Sequence, residues 1–271
     1  MAVHLFKKMT LSSLYQKYMV PASNEVINTV LSYVKEKTDG RPLEMAVDVG
    51  CGTGRYTLPF APHFKKVLGV DISESQITLA KQHTVANNVS YMVAPAEKLP
   101  VKDISVDLVT AALAAHWFTA DEFFSEAIRV LKTRGCLALH GFYPAIQIEY
   151  KDVSHELTAV ISEVLDTFYQ FYDKNIEQIF SHYHNIYEAV PLKDKERITD
   201  IPMTFQKSLP EIMGFIESGY PYQAFVEKDK KGAEELLILT EKRFREILGE
   251  EADSVQLNMH MKHFCVLACK H

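Results

Sequence analysis

One stretch constrains the chain more than any other: Val47 to Tyr56, reading V-D-V-G-C-G-T-G-R-Y. The apolar run Met45, Ala46, Val47 and Val49 has the character of a buried strand. It gives way to glycines at alternate positions, Gly50, Gly52 and Gly54. Glycine there permits a sharp turn with positive φ and lets a ligand press against bare backbone. Helix-compatible residues run from Arg55 to Phe60, and the N–H groups that open a helix favour the same ligand. The pattern predicts strand, glycine loop and helix, a small-molecule cradle at the carboxyl end of a strand. A dinucleotide site has the spacing G-x-G-x-x-G and a phosphate loop needs G-x-x-x-x-G-K-[ST]; the G-x-G-x-G here is neither. An ordinary glycine-rich turn is the remaining alternative, yet three of the chain's 11 glycines fall within this one loop.

The 271 residues can form one large domain or two small ones, with a sizeable core in either case. A net charge of −6 and a pI near 6.0 leave no broad basic footprint for nucleic acid, and they argue against an anionic membrane surface. No run approaches the roughly 18 consecutive apolar residues of a membrane span. Met1 to Thr10 lacks the apolar centre of a signal peptide. Cys51, Cys136, Cys265 and Cys269 are scattered and form no disulfide framework. Reduced core thiols and a cytoplasmic location follow by default.

Along the chain, residues 11–22 read as irregular and aromatic. Ser23 caps a helix whose apolar face is Val26, Ile27, Val30, Leu31 and Val34, ended by Gly40 and Pro42. Lys66 to Val70 is a second buried strand ending at Asp71. An acid there, about 20 residues past the loop, is placed for ribose hydroxyls in a βαβ unit. Its other reading is a cap for the helix 74–84, a task Ser73 performs equally well. Strands follow at 88–93, 103–110 and 136–142, with an amphipathic helix at 121–132. Alternating βα units predict a mostly parallel sheet with helices on both faces. The alternation then stops. Residues 152–190 are helical in pattern and rich in aromatics, 201–206 is a strand, and 209–217 is a helix. Residues 218–223 read as an aromatic turn, 232–248 as a helix and 255–269 as a last strand. The expected architecture is one α/β domain with a helical insertion at about 145–195.

Four stretches in order, VDVGCGTGRYT, LGVDIS, APAEKLPVKDISVDLVTAALAAHWF and FFSEAIRVLKTRGCLALHGF, resemble class I S-adenosylmethionine-dependent methyltransferases. More narrowly, the chain is similar to the small-molecule group that includes trans-aconitate methyltransferase; YQKYMVP and SLPEIMGFIESGYPYQ carry that likeness beyond the core. The resemblance implies a Rossmann-like, seven-stranded, mostly parallel sheet with helices on both faces, a helical insertion after strand five and an antiparallel last strand near the edge. It implies a single domain over 1–271, in which 1–43 cover the cofactor and 44–142 bind it. Residues 143–222 then form the acceptor region, and 223–271 the final helix and strand. S-adenosylmethionine is the implied cofactor and S-adenosylhomocysteine its product, with no metal. Asp48, Gly50, Cys51, Gly52 and Gly54 would surround the methionine part. Asp71 would take the ribose hydroxyls and Ile72 would lie on adenine. Ala96 and Glu97 would meet the adenine edge, Ala112 would line the wall near the sulfonium, and Tyr18 would fold over the cofactor. Arg134 stands where the family often has proline, at a turn remote from the chemistry.

For the acceptor side, His116 is the candidate catalytic base; its other reading is an imidazole that orients a loop. Trp117, Tyr143, Tyr220 and Tyr222 are the candidate acceptor-site residues, each with a packing role as the alternative. The expected reaction is methyl transfer to a small molecule, with a carboxylate as the leading acceptor and an amine or phenol as the alternative. A cofactor-binding protein without turnover is the alternative of a different class. Nucleic acid and membrane are not expected partners. DNA amino-methylating enzymes carry Asn/Asp-Pro-Pro-Tyr/Phe after strand four, where this chain has TAAL.

Overall fold

Apolar runs that alternate with amphipathic segments hide their hydrophobic surface by layering helices over a sheet. In the computed structural model, which describes residues 9–271, seven strands form one sheet in the order β3-β2-β1-β4-β5-β7-β6. β1 (Met45–Val49), β2 (Lys66–Asp71), β3 (Val89–Val93), β4 (Val106–Ala112) and β5 (Leu131–Glu149) are mutually parallel. β7 (Leu257–Cys269) runs antiparallel between β5 and β6 (Asp194–Lys207). The expected seven-stranded sheet is present, and so is the reversed strand near its edge.

The helix α1 (Met9–Tyr18) occupies the segment read from sequence as irregular. The next helix, α2 (Asn24–Lys37), starts where Ser23 Oγ accepts the Val26 N–H, and its Val26, Ile27, Val30 and Val34 pack on one face of the sheet. After β2, α3 (Glu74–His83) is capped by Ser73. On the other face, α4 (Ala120–Val130) buries Phe123, Phe124, Ala127 and Val130 against Val47, Val109 and Leu137. The insertion holds α5 (Ser154–Tyr169), α6 (Glu177–Phe180) and α7 (His184–Ala189). Then come α8 (Leu209–Ser218), with a Ser208–Glu211 capping box, α9 (Tyr220–Lys228), and α10 (Lys230–Leu248), capped by Asp229. Leu157, Ile161 and Phe168 of α5 join Ile212, Phe215 and Phe244 in a second apolar core beside the sheet. Asp107 of β4 is sealed at the strands' opposite end. It accepts the Glu44 and Met45 N–H groups at 2.8 and 3.0 Å and pairs with Lys132 at 2.9 Å.

Four local expectations are corrected. No α-helix follows the glycine loop: turns lead to a 3₁₀ helix, Leu58–His63, because Pro59 and Pro62 supply no N–H for an α-helical ladder. Strand five continues past Phe142 to Glu149, with its register against β7 broken between Tyr143 and Gln147 around Pro144. The insertion therefore begins beyond residue 150. β6 starts at Asp194, seven residues before the strand expected at Ile201. Tyr220 to Gln223 open α9, where Pro221 fits the first turn because its missing N–H is not needed there. Among the described residues no helix is long and apolar enough to cross a membrane.

Candidate functional site

In an open α/β sheet the ligand crevice lies beyond the carboxyl ends of the strands, where the strand order reverses. Here that point is between β1 and β4, and the glycine loop leaves the end of β1 there. A cavity of about 380 Å³ opens at this place. Gly50, Gly52, Asp71, Ile72, Ala96, Glu97 and Ala112 line one part of it, and His116, Trp117 and Tyr220 line another. Ten residues named from the sequence thus share one wall, drawn from four strand ends and the first turn of α9.

The loop is shaped by left-handed backbone at Gly50, Gly52 and Gly54 (φ +68°, +55° and +83°). A Cβ on Gly50 would stand 2.5 Å from Ala114 Cβ, so the loop lies flat against the segment after β4. Gly54 does not reach the cavity; Tyr91 packs over it. The loop's N–H groups are partly committed to the protein itself. Cys51 N–H donates to Val70 O at 3.0 Å, and Gly52 N–H donates to Asp71 Oδ2 at 2.9 Å. Asp71 Oδ1 accepts the Ser73 N–H at 2.8 Å. Asp71 therefore clamps the glycine loop to β2 and also faces the cavity. Burial raises its carboxyl pKa, while N–H groups of Ser73, Gly52 and Ile72 pull it back down. Ile72 is 55 % exposed, an apolar surface presented to the crevice. Glu97 Oε1 accepts the Thr119 N–H at 2.9 Å, tying the loop after β3 to the start of α4.

Asp48 lies behind the loop, fully buried, and does not line the cavity. Its Oδ2 accepts from Thr57 Oγ1 at 2.6 Å, and its Oδ1 is sealed without a partner among the described residues. Burial pushes this carboxyl up to about 7. A second chamber of about 40 Å³ lies beside the loop, lined by Tyr15, Cys51, Thr53 and Arg55 among others. Arg55 Nη2 donates to the Tyr15 and Gln16 carbonyls at 3.3 and 2.7 Å, while its Nε is buried with no partner among the described residues. Sequence reasoning passed over Arg55; the available signal was a lone arginine directly after Gly54. Tyr18 was expected to cover the cofactor, yet its ring packs on Gly214 of α8, and Tyr15, one turn earlier on α1, lines both chambers. Arg55 beside the second chamber, bare glycine backbone, an acceptor-rich Asp71 and the apolar Ile72 suit a ligand with a charged amino-acid end and a nucleoside end.

The remaining wall is apolar. Phe142, Pro144, Ile176, Ile179, Phe215 and Pro221 line it, and sequence reasoning named none of them. Strand parity carried part of the signal: Phe142 faces the cavity, so its neighbour Tyr143 points away, packing on Phe180 and His182 at 6.0 and 5.0 Å. Tyr222 also misses the cavity and is buried against Phe168. Tyr220 meets Trp117 edge-on at 5.3 Å. Leu113, in left-handed backbone (φ +54°), swings the chain out of β4 into the short helix Ala115–Trp117 that presents His116. His116 is 7 % exposed, its Nδ1 lies 2.7 Å from Tyr183 Oη, and burial depresses its pKa to about 3. An imidazole so weakly basic is a poor general base near neutral pH. The other grouping of potential metal ligands, Asp194, Cys269 and His271, is remote from the crevice, and Lys37 Nζ already pairs with Asp194 at 2.9 Å.

A protein-family model described as a methyltransferase domain matches residues 47–139. A Dictyostelium discoideum protein provisionally named a methyltransferase is 26% identical over 263 residues, covering 96% of this chain and 94% of its own. A Saccharomyces cerevisiae protein, named as a probable S-adenosylmethionine-dependent methyltransferase, is 32% identical over 130 residues, 46% of this chain and 41% of its own. A solved structure from Anaeromyxobacter dehalogenans, described provisionally as a type II methyltransferase, shares the fold. Its TM-score is 0.69 at 22% identity, over 89% of this chain and 97% of that one. Residues 47–139 thus match a methyltransferase domain, and the sheet around them has the fold of class I S-adenosylmethionine-dependent methyltransferases.

Proposed function

We propose that the protein methylates a small molecule, with a carboxylate as the accepting group. The observation that carries this reading is one continuous cavity reaching from Asp71, Ile72 and Glu97 to His116, Trp117 and Tyr220. When bound, S-adenosylmethionine supplies a methyl group on a sulfonium centre. Asp71 has lone pairs left after its two backbone contacts, and these receive the ribose hydroxyls. Ile72 with Ala96 and Glu97 holds the adenine, and Gly50, Cys51 and Gly52 hold the methionine part. Arg55 takes the donor's carboxylate; Asp48 supports the loop from behind. Residues 9–43 of the expected covering segment close the donor side through Tyr15, whereas residues 1–8 lie outside the described residues. The segment 143–222 forms the acceptor side, and 223–271 completes the sheet and its second core. Trp117 and Tyr220 present aromatic faces that favour a cation and exclude water. The four buried, unpaired thiols agree with a reducing cytoplasm.

Calorimetry with S-adenosylhomocysteine on the full chain tests the donor site, and a methyl-transfer screen over carboxylic acids, amines and phenols tests the acceptor. Saturable binding together with transfer to acids is the expected result. No binding would sink the whole reading, and transfer to amines or phenols alone would sink the carboxylate.

A further inference from the structure

The acceptor wall holds one imidazole in a single hydrogen-bonding state. Tyr183 is sealed, at 0 % exposure, with its Oη 2.7 Å from His116 Nδ1. A sealed phenol must place its proton on an acceptor. Among the described residues, His116 Nδ1 is the acceptor within reach, so Oη–H donates and Nδ1 accepts. The ring proton therefore sits on Nε2. Among the described residues Nε2 has no protein partner; it is not sealed in the core, and its ring lines the cavity. Burial alone, with no charged neighbour acting on the ring, keeps it neutral. The ionisable groups facing the same cavity are Asp71, Glu97, Tyr15, Tyr172 and Tyr220. Asp71 and Glu97 are the acids among them, and both are occupied by backbone N–H groups.

The backbone enforces this arrangement. His182 and Tyr183 are consecutive left-handed residues (φ +50° and +57°), a conformation disfavoured for any side chain bearing a Cβ. Arg197 Nη1 pins the turn by donating to the Ser181 and His182 carbonyls at 3.0 and 3.2 Å. Such a turn aims the Tyr183 hydroxyl at His116.

A donor on an apolar wall selects its partner. It cannot take a proton from an alcohol or phenol, and an amine would spend its one lone pair on the Nε2–H. A carboxylate has lone pairs to spare: one oxygen takes the Nε2–H and the other attacks. Among the described residues no lysine or arginine lines the main cavity, so a polycarboxylate would bury charge against them without compensation. We propose that the acceptor is a monocarboxylic acid with an apolar body, its carboxylate hydrogen-bonded by His116 Nε2–H in the tautomer that Tyr183 imposes. The carboxylate oxygen forms the new O–C bond, and the C–S bond breaks with its electron pair left on sulfur. The two opposite charges cancel and no proton moves, so no base is required. Tyr183 is a positioning residue that acts through His116. This inference rests on the methyltransferase reading of the cavity and names its substrate class.

The test is an acceptor panel of saturated and aryl-alkyl monoacids, a tricarboxylate, phenols and primary amines, with ester formation followed by mass spectrometry. Donor affinity is measured by calorimetry on the same samples. The expected result is esterification of the apolar monoacids, with a pH dependence that follows the ionisation of each acid and shows no enzyme limb between roughly pH 6 and 9. Tyr183→Phe should raise the acceptor KM about tenfold, as one lost hydrogen bond implies, while leaving donor affinity unchanged. His116→Gln, which keeps an N–H donor, should retain more activity than His116→Phe, and this pair decides the matter if Tyr183→Phe does not fold. Preference for the tricarboxylate, transfer to phenols or amines alone, or equal activity of the two His116 variants would overturn the proposal. Absence of donor binding by the wild-type protein is a separate failure, that of the methyltransferase reading.

Discussion

Asp71→Asn separates the backbone clamp seen in the structure from the ribose contact proposed for the same carboxylate. Its Oδ2 accepts the Gly52 N–H at 2.9 Å and its Oδ1 the Ser73 N–H at 2.8 Å. An asparagine keeps the shape but turns one oxygen into an NH₂, which must face one of those two N–H groups. One charge-assisted hydrogen bond is lost, worth about 1.5–3 kcal/mol, and a buried N–H is left unsatisfied at about 1–3 kcal/mol. Neutralising a carboxylate whose ionised form is already disfavoured by burial returns part of that cost. A net loss of about 3 kcal/mol is the working figure. At roughly 2–4 °C per kcal/mol for a chain of this size, Tm should fall by about 6–12 °C. Loss of one ribose acceptor and a looser Gly50–Gly54 loop should weaken S-adenosylhomocysteine binding by roughly 10–100-fold. Differential scanning fluorimetry reads the first quantity and calorimetry the second. A lower Tm with unchanged affinity would leave Asp71 as a clamp and remove it from the donor site. An unchanged Tm would refute the clamp itself.

Other expectations follow from the same geometry. The Asp48 pKa in the fold, about 7, lies above the ordinary 3.8, so its stabilising contribution is complete below about pH 4 and is lost as pH rises through 7. Asp48→Asn should then match wild type near pH 4 and exceed it near pH 8 by a few kcal/mol, ~4 at most, in urea unfolding; a less stable variant at pH 8 would contradict the burial argument. Gly50→Ala places a Cβ 2.5 Å from Ala114 Cβ on a left-handed residue. It should cost about 1–2 kcal/mol in backbone strain before any clash and abolish measurable donor binding, and wild-type affinity would show that the loop relaxes freely. Arg55→Met should weaken S-adenosylhomocysteine by about tenfold or more yet leave adenosine binding unchanged, since adenosine has no carboxylate to lose; an equal effect on both ligands would argue for collapse of the loop. Asp107→Ala removes the partner of Lys132 and the acceptor of two N–H groups. About 3 kcal/mol should be lost in chemical denaturation with donor affinity intact, and a neutral result would mean that water replaces the carboxylate.

Much of this was legible in the residues because the physics is local. A buried strand needs an apolar run, a positive-φ turn needs glycine, and Ser73 and Ser208 announce helix starts by the N–H groups they accept. Those signals located β1, the glycine loop, Asp71 and the segment carrying His116. Where local cues competed, the reading slipped. Pro59 and Pro62 sit in a helix-compatible run but cap it at a 3₁₀ turn, and Pro221 starts a helix where the aromatics around it suggested a turn.

The sequence by itself determined the layered α/β chain, the order of its units and the position of the glycine loop, since each depends on spacing within a few tens of residues. Only the tertiary structure decided which side chains meet in the crevice. Tyr15 and not Tyr18, Phe142 and not Tyr143, Tyr220 and not Tyr222 reach it, because helix phase, strand parity and packing against distant elements set direction, and a single position changes the outcome. The surroundings of His116 were decided in the same way. Its partner Tyr183 lies 67 residues along the chain, on a strained turn held by Arg197, and the contact that fixes the imidazole proton exists only once the insertion folds back over the sheet.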